Sequence, residues 1–273
     1  MQNVSYLRGL NRKDTDLAFI TLITDFGNRD AYTGALKGTL LRQCPEAALI
    51  DISHEIEPYN ILHAAFVARN VWGDFPEGSL HVLAVHCAYD AAFRFVLMRH
   101  SGHYFMAPDN GLLRLIFEQA PAPHDVRLLA GHTGKKLSVR HVFAEAAGRL
   151  LSGQPFESIG DYAPPLLERI GLRPVVTTQR IRGTVIHVDN FGNVIVNISR
   201  ELLETVGKGR AFALYFRRHD PITRLSSNYC DVPAGEPLCL FNGAGYLEIA
   251  INMDRAASLL GLKVEDIVEM VFE

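Results

Sequence analysis

The chain has 273 residues, 27 basic and 30 acidic, for a formal charge of −3. No window carries a basic run dense enough to act as a footprint for nucleic acid, so a small-molecule partner is expected. Residues 1–14 hold no apolar stretch of signal-peptide length, and no run of about 18 apolar residues occurs anywhere; no membrane partner and a cytoplasmic location are expected. Cys44, Cys87, Cys230 and Cys239 form no Cys-x-x-Cys pair and no His stands at ligand spacing, which argues for buried free thiols rather than a disulfide framework or a metal site.

In chain order, 17–24 is a continuous apolar run with β-branched residues, as expected of a strand buried on both faces. Similar runs lie at 48–52, 80–85, 95–98 and 126–129. Helical spacing fills 31–42, 61–72 behind a cap at Asn60, 112–119 and 142–151. Strands alternating with helices predict an α/β domain with a largely parallel sheet. Past the Pro-containing stretch at 160–165 the texture changes to short strands at 181–188, 194–198, 211–216, 238–241, 246–251 and 267–272, with one helix at 255–260. These predict a β-barrel or sandwich. The expected domains are therefore an N-terminal α/β domain over 1–170 and a C-terminal β domain over 180–273.

The common catalytic fingerprints are missing: no Gly-x-Gly-x-x-Gly after a strand, no Gly-Lys-Ser/Thr phosphate loop, no Gly-x-Ser-x-Gly and no His-Glu-x-x-His. Asp25 follows the first strand, where open α/β sheets bind ligands at the carboxyl ends of their strands. There it can accept from two vicinal sugar hydroxyls, or it can cap the turn into the next helix; the residue alone leaves both open. Asp189 and Asn193 bracket a tight loop and are ordinary turn formers, yet together they offer an acceptor for an ammonium and an amide for an amino-acid head group. Asp109-Asn110-Gly111 reads as a turn with a helix N-cap that also shapes a pocket, and His54 as a hydrogen-bonding residue of its turn. Tyr59 suits either a place beside a ligand or packing against the core.

Thr-Leu-Ile-Thr-Asp-Phe-Gly at 21–27, Asp-Ile-Ser-His-Glu-Ile at 51–56, Ala-Pro-Asp-Asn-Gly-Leu at 107–112, Val-Asp-Asn-Phe-Gly-Asn at 188–193 and Gly-Tyr-Leu-Glu-Ile-Ala at 245–250 carry a resemblance. Over nearly its whole length the chain resembles the S-adenosylmethionine hydrolase (hydroxide adenosyltransferase) family, relatives of the fluorinating and chlorinating adenosyl enzymes. The resemblance implies displacement at the ribose C5′ by hydroxide derived from water, giving adenosine and L-methionine, with S-adenosylmethionine as substrate or ligand and no separate cofactor or metal. It implies that Asp25 binds the ribose, that Asp189 and Asn193 grip the methionine amino group, that Asn242 and Gly243 belong to a backbone cradle for adenine, and that Tyr59 lies beside the ligand. It further implies a homotrimer, each site lying between the N-terminal domain of one subunit and the C-terminal domain of its neighbour.

At one place the chain departs from the pattern. Where the family keeps a catalytic Asp, Arg and His, this chain has His86, Phe93 and Ser138. Arg94 and His141 stand nearby but out of register. In model peptides an imidazole ionises near about 6.5 and a carboxyl near about 3.9, so a His can serve as a neutral base near pH 7 where Asp would act by charge. The expectation is altered or weak hydrolysis, with a non-catalytic binder of S-adenosylmethionine or adenosine as the alternative.

Overall fold

The computed structural model describes residues 18–87, 93–117, 119–129, 138–169, 171, 173–217 and 219–273. Of these, the residues up to Ala64 together with Val71–Leu167 form one compact unit, and Ala65–Asn70 together with Glu168–Glu273 form another.

Up to Leu167 the chain follows the order β1 (Phe19–Thr24), α1 (Tyr32–Gln43), β2 (Ala48–Ser53), α2 (Ile61–Arg69), β3 (Leu80–Ala84), β4 (Phe95–His100), β5 (His103–Pro108), α3 (Leu112–Ile116), β6 (Val126–Leu129), α4 (Val139–Leu151), α5 (Phe156–Ile159) and β7 (Asp161–Tyr162), all in the first unit except the part of α2 from Ala65 on, which belongs to the second. The sheet of the first unit runs β2-β1-β3-β5-β4-β6-β7. The first four strands in that order are parallel and the remaining pairings antiparallel, so the expected α/β layer is present. The reversal comes from the β4–β5 hairpin, whose turn residues Ser101 and Gly102 both have positive φ, 47° and 78°, as a tight hairpin of matching twist requires.

Alternate residues of each strand face opposite sides of the sheet. Ile20, Leu22, Leu80, Val82 and Met106 pack with Leu36 and Leu40 of α1 and Phe143, Ala147 and Leu150 of α4 in one core. On the other face Thr21, His81, His103 and Phe105 meet Trp72 and Phe117. Asn60 caps α2 as expected, accepting from the His63 N–H at 2.9 Å.

The second unit contains β8 (Val175–Val176), β9 (Arg180–Val188), β10 (Val194–Ser199), α6 (Arg200–Gly207), β11 (Phe212–Tyr215), β12 (Pro237–Phe241), β13 (Tyr246–Ile251), α7 (Ala256–Leu259) and β14 (Ile267–Phe272). Every ladder is antiparallel, in the order β11-β14-β9-β10-β13-β12 with β8 also on β9. Strand β9 joins two half-sheets: Arg180 to Thr184 pair with β14, while Val185, His187 and Val188 pair with β10. A strand that passes from one layer to another makes the corner of a sandwich. Gly183 sits at this corner, where a Cβ would come within 2.7 Å of Val196 and Ile198. The inward faces form a separate core of Ile181, Val196, Leu214, Ile249, Met270 and their neighbours.

Candidate functional site

In the order β2-β1-β3 the chain leaves β1 toward one side and later returns on the other, so the β1/β3 edge is a topological switch point, the usual ligand crevice of an open α/β sheet. Asp25 stands there, one residue beyond β1. Its Oδ2 accepts the backbone N–H of Tyr59, from the loop after β2, at 3.0 Å, and that of His86, from the loop after β3, also at 3.0 Å. Being central, β1 puts one carboxylate within reach of both neighbouring loops.

Both tethered residues are left-handed, with φ of 68° at Tyr59 and 52° at His86. For side chains this large that conformation costs about 1 to 3 kcal/mol each, so the surrounding structure must hold it in place. The Asp25 carboxylate and Asn110 offset that cost. Asn110 Nδ2 donates to the Val85 carbonyl at 3.1 Å and lies 3.5 Å from that of His86, while its Oδ1 accepts from Leu112 N at 3.1 Å.

This refines two readings of the sequence. A carboxylate oxygen has two lone pairs, so the Tyr59 and His86 amides fill Oδ2 and leave Oδ1 able to accept from a further donor. The segment 109–111 is not a simple N-cap: the capping position falls on Gly111, at φ 97°, without a side-chain cap, and Asn110 instead ties the His86 loop to α3.

The rings of Tyr59 and His86 meet edge to face at 5.5 Å, and both side chains are exposed. Tyr59 thus does not pack into the core. Cys87 turns inward against the first core, and burial together with the charge on Asp25 raises its thiol pKa, which disfavours the thiolate a nucleophile needs. Cys44 and Cys239 are buried as expected, but Cys230 is exposed, because it lies in a surface turn between β11 and β12.

Phe93 precedes β4, at the end of the sheet that carries Asp25 and His86, and Ser138 precedes α4. Phe93 packs against that core with its ring 5.6 Å from Phe95, which in turn meets Phe143 of α4 at 5.4 Å. Ser138 occupies the N-cap position of α4 without a side-chain cap, and its carbonyl accepts from His141 N at 2.9 Å. Arg94 pairs with buried Asp109, whose Oδ1 also accepts from Leu167 N at 2.8 Å. His141 is exposed on α4. Residues 88–92 and 130–137, which flank these positions, lie outside the described residues.

In the second unit the β9–β10 turn brings Asp189 and Asn193 together. Asp189 Oδ1 accepts Asn193 N at 2.8 Å and Oδ2 accepts Asn193 Nδ2 at 3.0 Å. Gly192, at φ 85°, closes the turn, and a Cβ there would come 2.8 Å from Arg255. The pair opens on a cavity of about 550 Å³ lined also by Phe191, Tyr229, Met253 and Arg255. Phe191 and Met253 are 74% and 89% exposed at its mouth. Beside it Tyr229 donates to buried Glu248 at 2.7 Å. Burial raises the Glu248 carboxyl pKa, the charge on Asp189 adding to the shift, and burial with the Glu248 hydrogen bond pushes the Tyr229 hydroxyl up to about 12.

Asn242 and Gly243 lie in the β12–β13 hairpin loop. Asn242 Oδ1 accepts from Ala244 N and Tyr246 N, both at 3.1 Å, and Gly243 is exposed, with open space at its Cα.

Residues 20–160 match the SAM hydroxide adenosyltransferase N-terminal domain, and residues 183–269 match the C-terminal domain of the same family. The chain belongs to the SAM hydroxide adenosyltransferase family. It is 29% identical over 276 residues to an (R)-S-adenosyl-L-methionine hydrolase of Methanocaldococcus jannaschii, covering 97% of this chain and 100% of that protein. A protein of the same name from Thermus thermophilus is 30% identical over 256 residues, covering 89% of this chain and 96% of that one. A crystal structure of an uncharacterized conserved protein from Thermotoga maritima matches with a TM-score of 0.82 at 29% identity, over 93% of this chain and 100% of the other.

Phe191, Tyr229 and Met253 were not singled out by the sequence of this adenosyltransferase-family chain. For Phe191 a signal exists, since a large apolar residue inside an Asp-x-Phe-Gly-Asn turn cannot bury itself. Tyr229 and Met253 reach the cavity from distant loops and carry no local signal. Among the described residues no three His, Cys, Asp or Glu side chains gather to hold a metal ion.

Proposed function

We propose that this chain binds S-adenosylmethionine and displaces methionine at the ribose C5′ with water, giving adenosine and L-methionine, at a low rate. The observation that carries the reading is the Asp25 carboxylate at the β1/β3 switch point, with Oδ2 committed to the chain and Oδ1 left to accept from a ribose hydroxyl, in a chain that matches this family over both domains. Tyr59 flanks the ribose, Asp189 and Asn193 take the methionine ammonium and carboxylate, and the Asn242-Gly243 loop offers backbone groups to adenine. The pocket holds S-adenosylmethionine as substrate, with no further cofactor.

His86 is the base in this reading. A neutral imidazole takes a proton from water, the oxygen attacks C5′, and the C5′–S bond breaks with its electron pair going to sulfur. Sulfonium is already a good leaving group, so positioning supplies most of the catalysis. The packing of Phe93 and the neutral Ser138 favour a second reading, a binder without turnover, because no guanidinium and no second imidazole stand at those positions. Incubation with S-adenosylmethionine followed by chromatography for adenosine and methionine separates the two. Slow adenosine release that disappears in His86→Ala supports the enzyme; tight binding with no product supports the binder.

We further infer a homotrimer in which Asp25 of one subunit and Asp189 of the next serve one ligand. The support is the family resemblance.

A further inference from the structure

Behind the Asp25 turn runs a chain of polar groups that the proposed chemistry does not use. His54, 4% exposed, places Nδ1 2.8 Å from Oγ1 of the fully buried Thr24, the residue before Asp25. Its carbonyl accepts from Gly27 N at 2.8 Å, so backbone and side chain of His54 grip the turn on both sides of Asp25. On its far side Nε2 lies 3.1 Å from Oδ1 of Asp51, an ion-pair distance without the alignment of a hydrogen bond, and Asp51 Oδ2 is 2.5 Å from Lys37 Nζ.

One proton arrangement accounts for these contacts with Nδ1 as acceptor. With hydrogen on Nε2, facing the Asp51 carboxylate, Nδ1 is an acceptor. Thr24 Oγ1 accepts from Phe26 N at 3.3 Å, and its own hydrogen is then free to donate to Nδ1. The Lys37 ammonium offsets the Asp51 charge, so the relay adds no net negative charge behind Asp25.

We propose that His54 is a positioning residue for Asp25: by accepting from the Thr24 hydroxyl and holding Gly27, it fixes the turn in which Oδ2 of Asp25 takes the Tyr59 and His86 amides and Oδ1 faces the ligand. The ligand half of this statement rests on the function proposed above; the positioning half does not.

The experiment measures hydrogen–deuterium exchange of the ligand-free full chain over segments 55–60 and 82–87, together with adenosine affinity by calorimetry. His54→Ala and Thr24→Val, which removes the hydroxyl at nearly constant volume, are expected to speed exchange at both segments and to weaken adenosine about tenfold or more. An Asn amide oxygen can occupy the place of Nδ1, so His54→Asn is expected to restore both readouts, an outcome that a purely space-filling role for the ring does not produce. Exchange over 194–198 serves as the control for general loosening. Wild-type protection of both segments in His54→Ala and Thr24→Val, or failure of His54→Asn to rescue, overturns the proposal. If wild type does not bind adenosine, or Asp25→Asn binds it unchanged, the function reading falls, and the exchange data still decide the positioning claim.

Discussion

At the scale of single residues, both carboxylates proposed to hold the ligand, Asp25 and Asp189, also hold their own loops, so removing either one changes more than a contact. Asp25→Ala frees the backbone amides of Tyr59 and His86, and both S-adenosylmethionine and adenosine are expected to bind more weakly by about 1.5 to 3 kcal/mol, the usual worth of a hydrogen bond to a charged group. Asp189→Asn is the cleaner probe of its site, because its amide oxygen still accepts from Asn193 N and the Asn193 side chain can turn its own oxygen to the new NH2, while the charge is removed. That variant is expected to bind S-adenosylmethionine more weakly and adenosine, which lacks the ammonium, as before; equal losses measured by calorimetry would rule out the assignment. At the proposed reaction centre, placing Asp at His86, Arg at Phe93 and His at Ser138 together should raise adenosine release, while each change alone does little, since such groups act as a unit. Phe93 packs against Phe95, so circular dichroism must first establish that the triple variant folds.

At the scale of elements, the face of the first sheet opposite α1 and α4 carries a buried proton-sensitive chain. Thr21 on β1 is 2.8 Å from His81 Nδ1 on β3, and His81 Nε2 is 3.2 Å from His103 Nδ1 on β5. Burial, with charge on His103, pushes His81 down to about 4. The unfolded chain, titrating near about 6.5, takes the proton first as pH falls, so stability is intact above that value and declines down to about 4, by up to about 3 kcal/mol. Urea midpoints measured at pH 7, 5.5 and 4 should fall accordingly, and His81→Gln should flatten the decline; an equally steep decline in that variant would assign it elsewhere. The sequence made β1 and β3 legible because strands buried on both faces read as unbroken apolar runs. Strand β5 was missed: it begins His-Tyr after a polar turn, and its pairing with β4 depends on the left-handed Ser101-Gly102 turn. Helix α6 was missed because eight residues give too short a period, although its Ser199 cap was available. Asp25 and His86 could be found from the ends of apolar runs, whereas their joint tether through Tyr59 is a long-range contact with no local trace.

At the scale of the molecule, the two units carry complementary halves of the proposed chemistry, a ribose carboxylate in the first and an ammonium carboxylate in the second. If the trimer forms as proposed, each site takes one half from each of two chains, and light scattering at micromolar concentration should return three times the 30.3 kDa chain mass. The arrangement also makes a stronger prediction, because two chains defective in different halves can repair each other. In randomly mixed cyclic trimers of Asp25→Ala and Asp189→Ala chains, a site is whole when an intact first unit meets an intact second unit from its neighbour, which occurs at about a quarter of the interfaces. Neither variant alone is expected to bind S-adenosylmethionine tightly. After the two are denatured together and refolded, about a quarter of the wild-type number of tight sites should return in an equilibrium binding titration, with no change in their affinity. A mixture that recovers no tight sites, from chains that scatter as trimers, would place both carboxylates of each site in one subunit and overturn the shared-site arrangement.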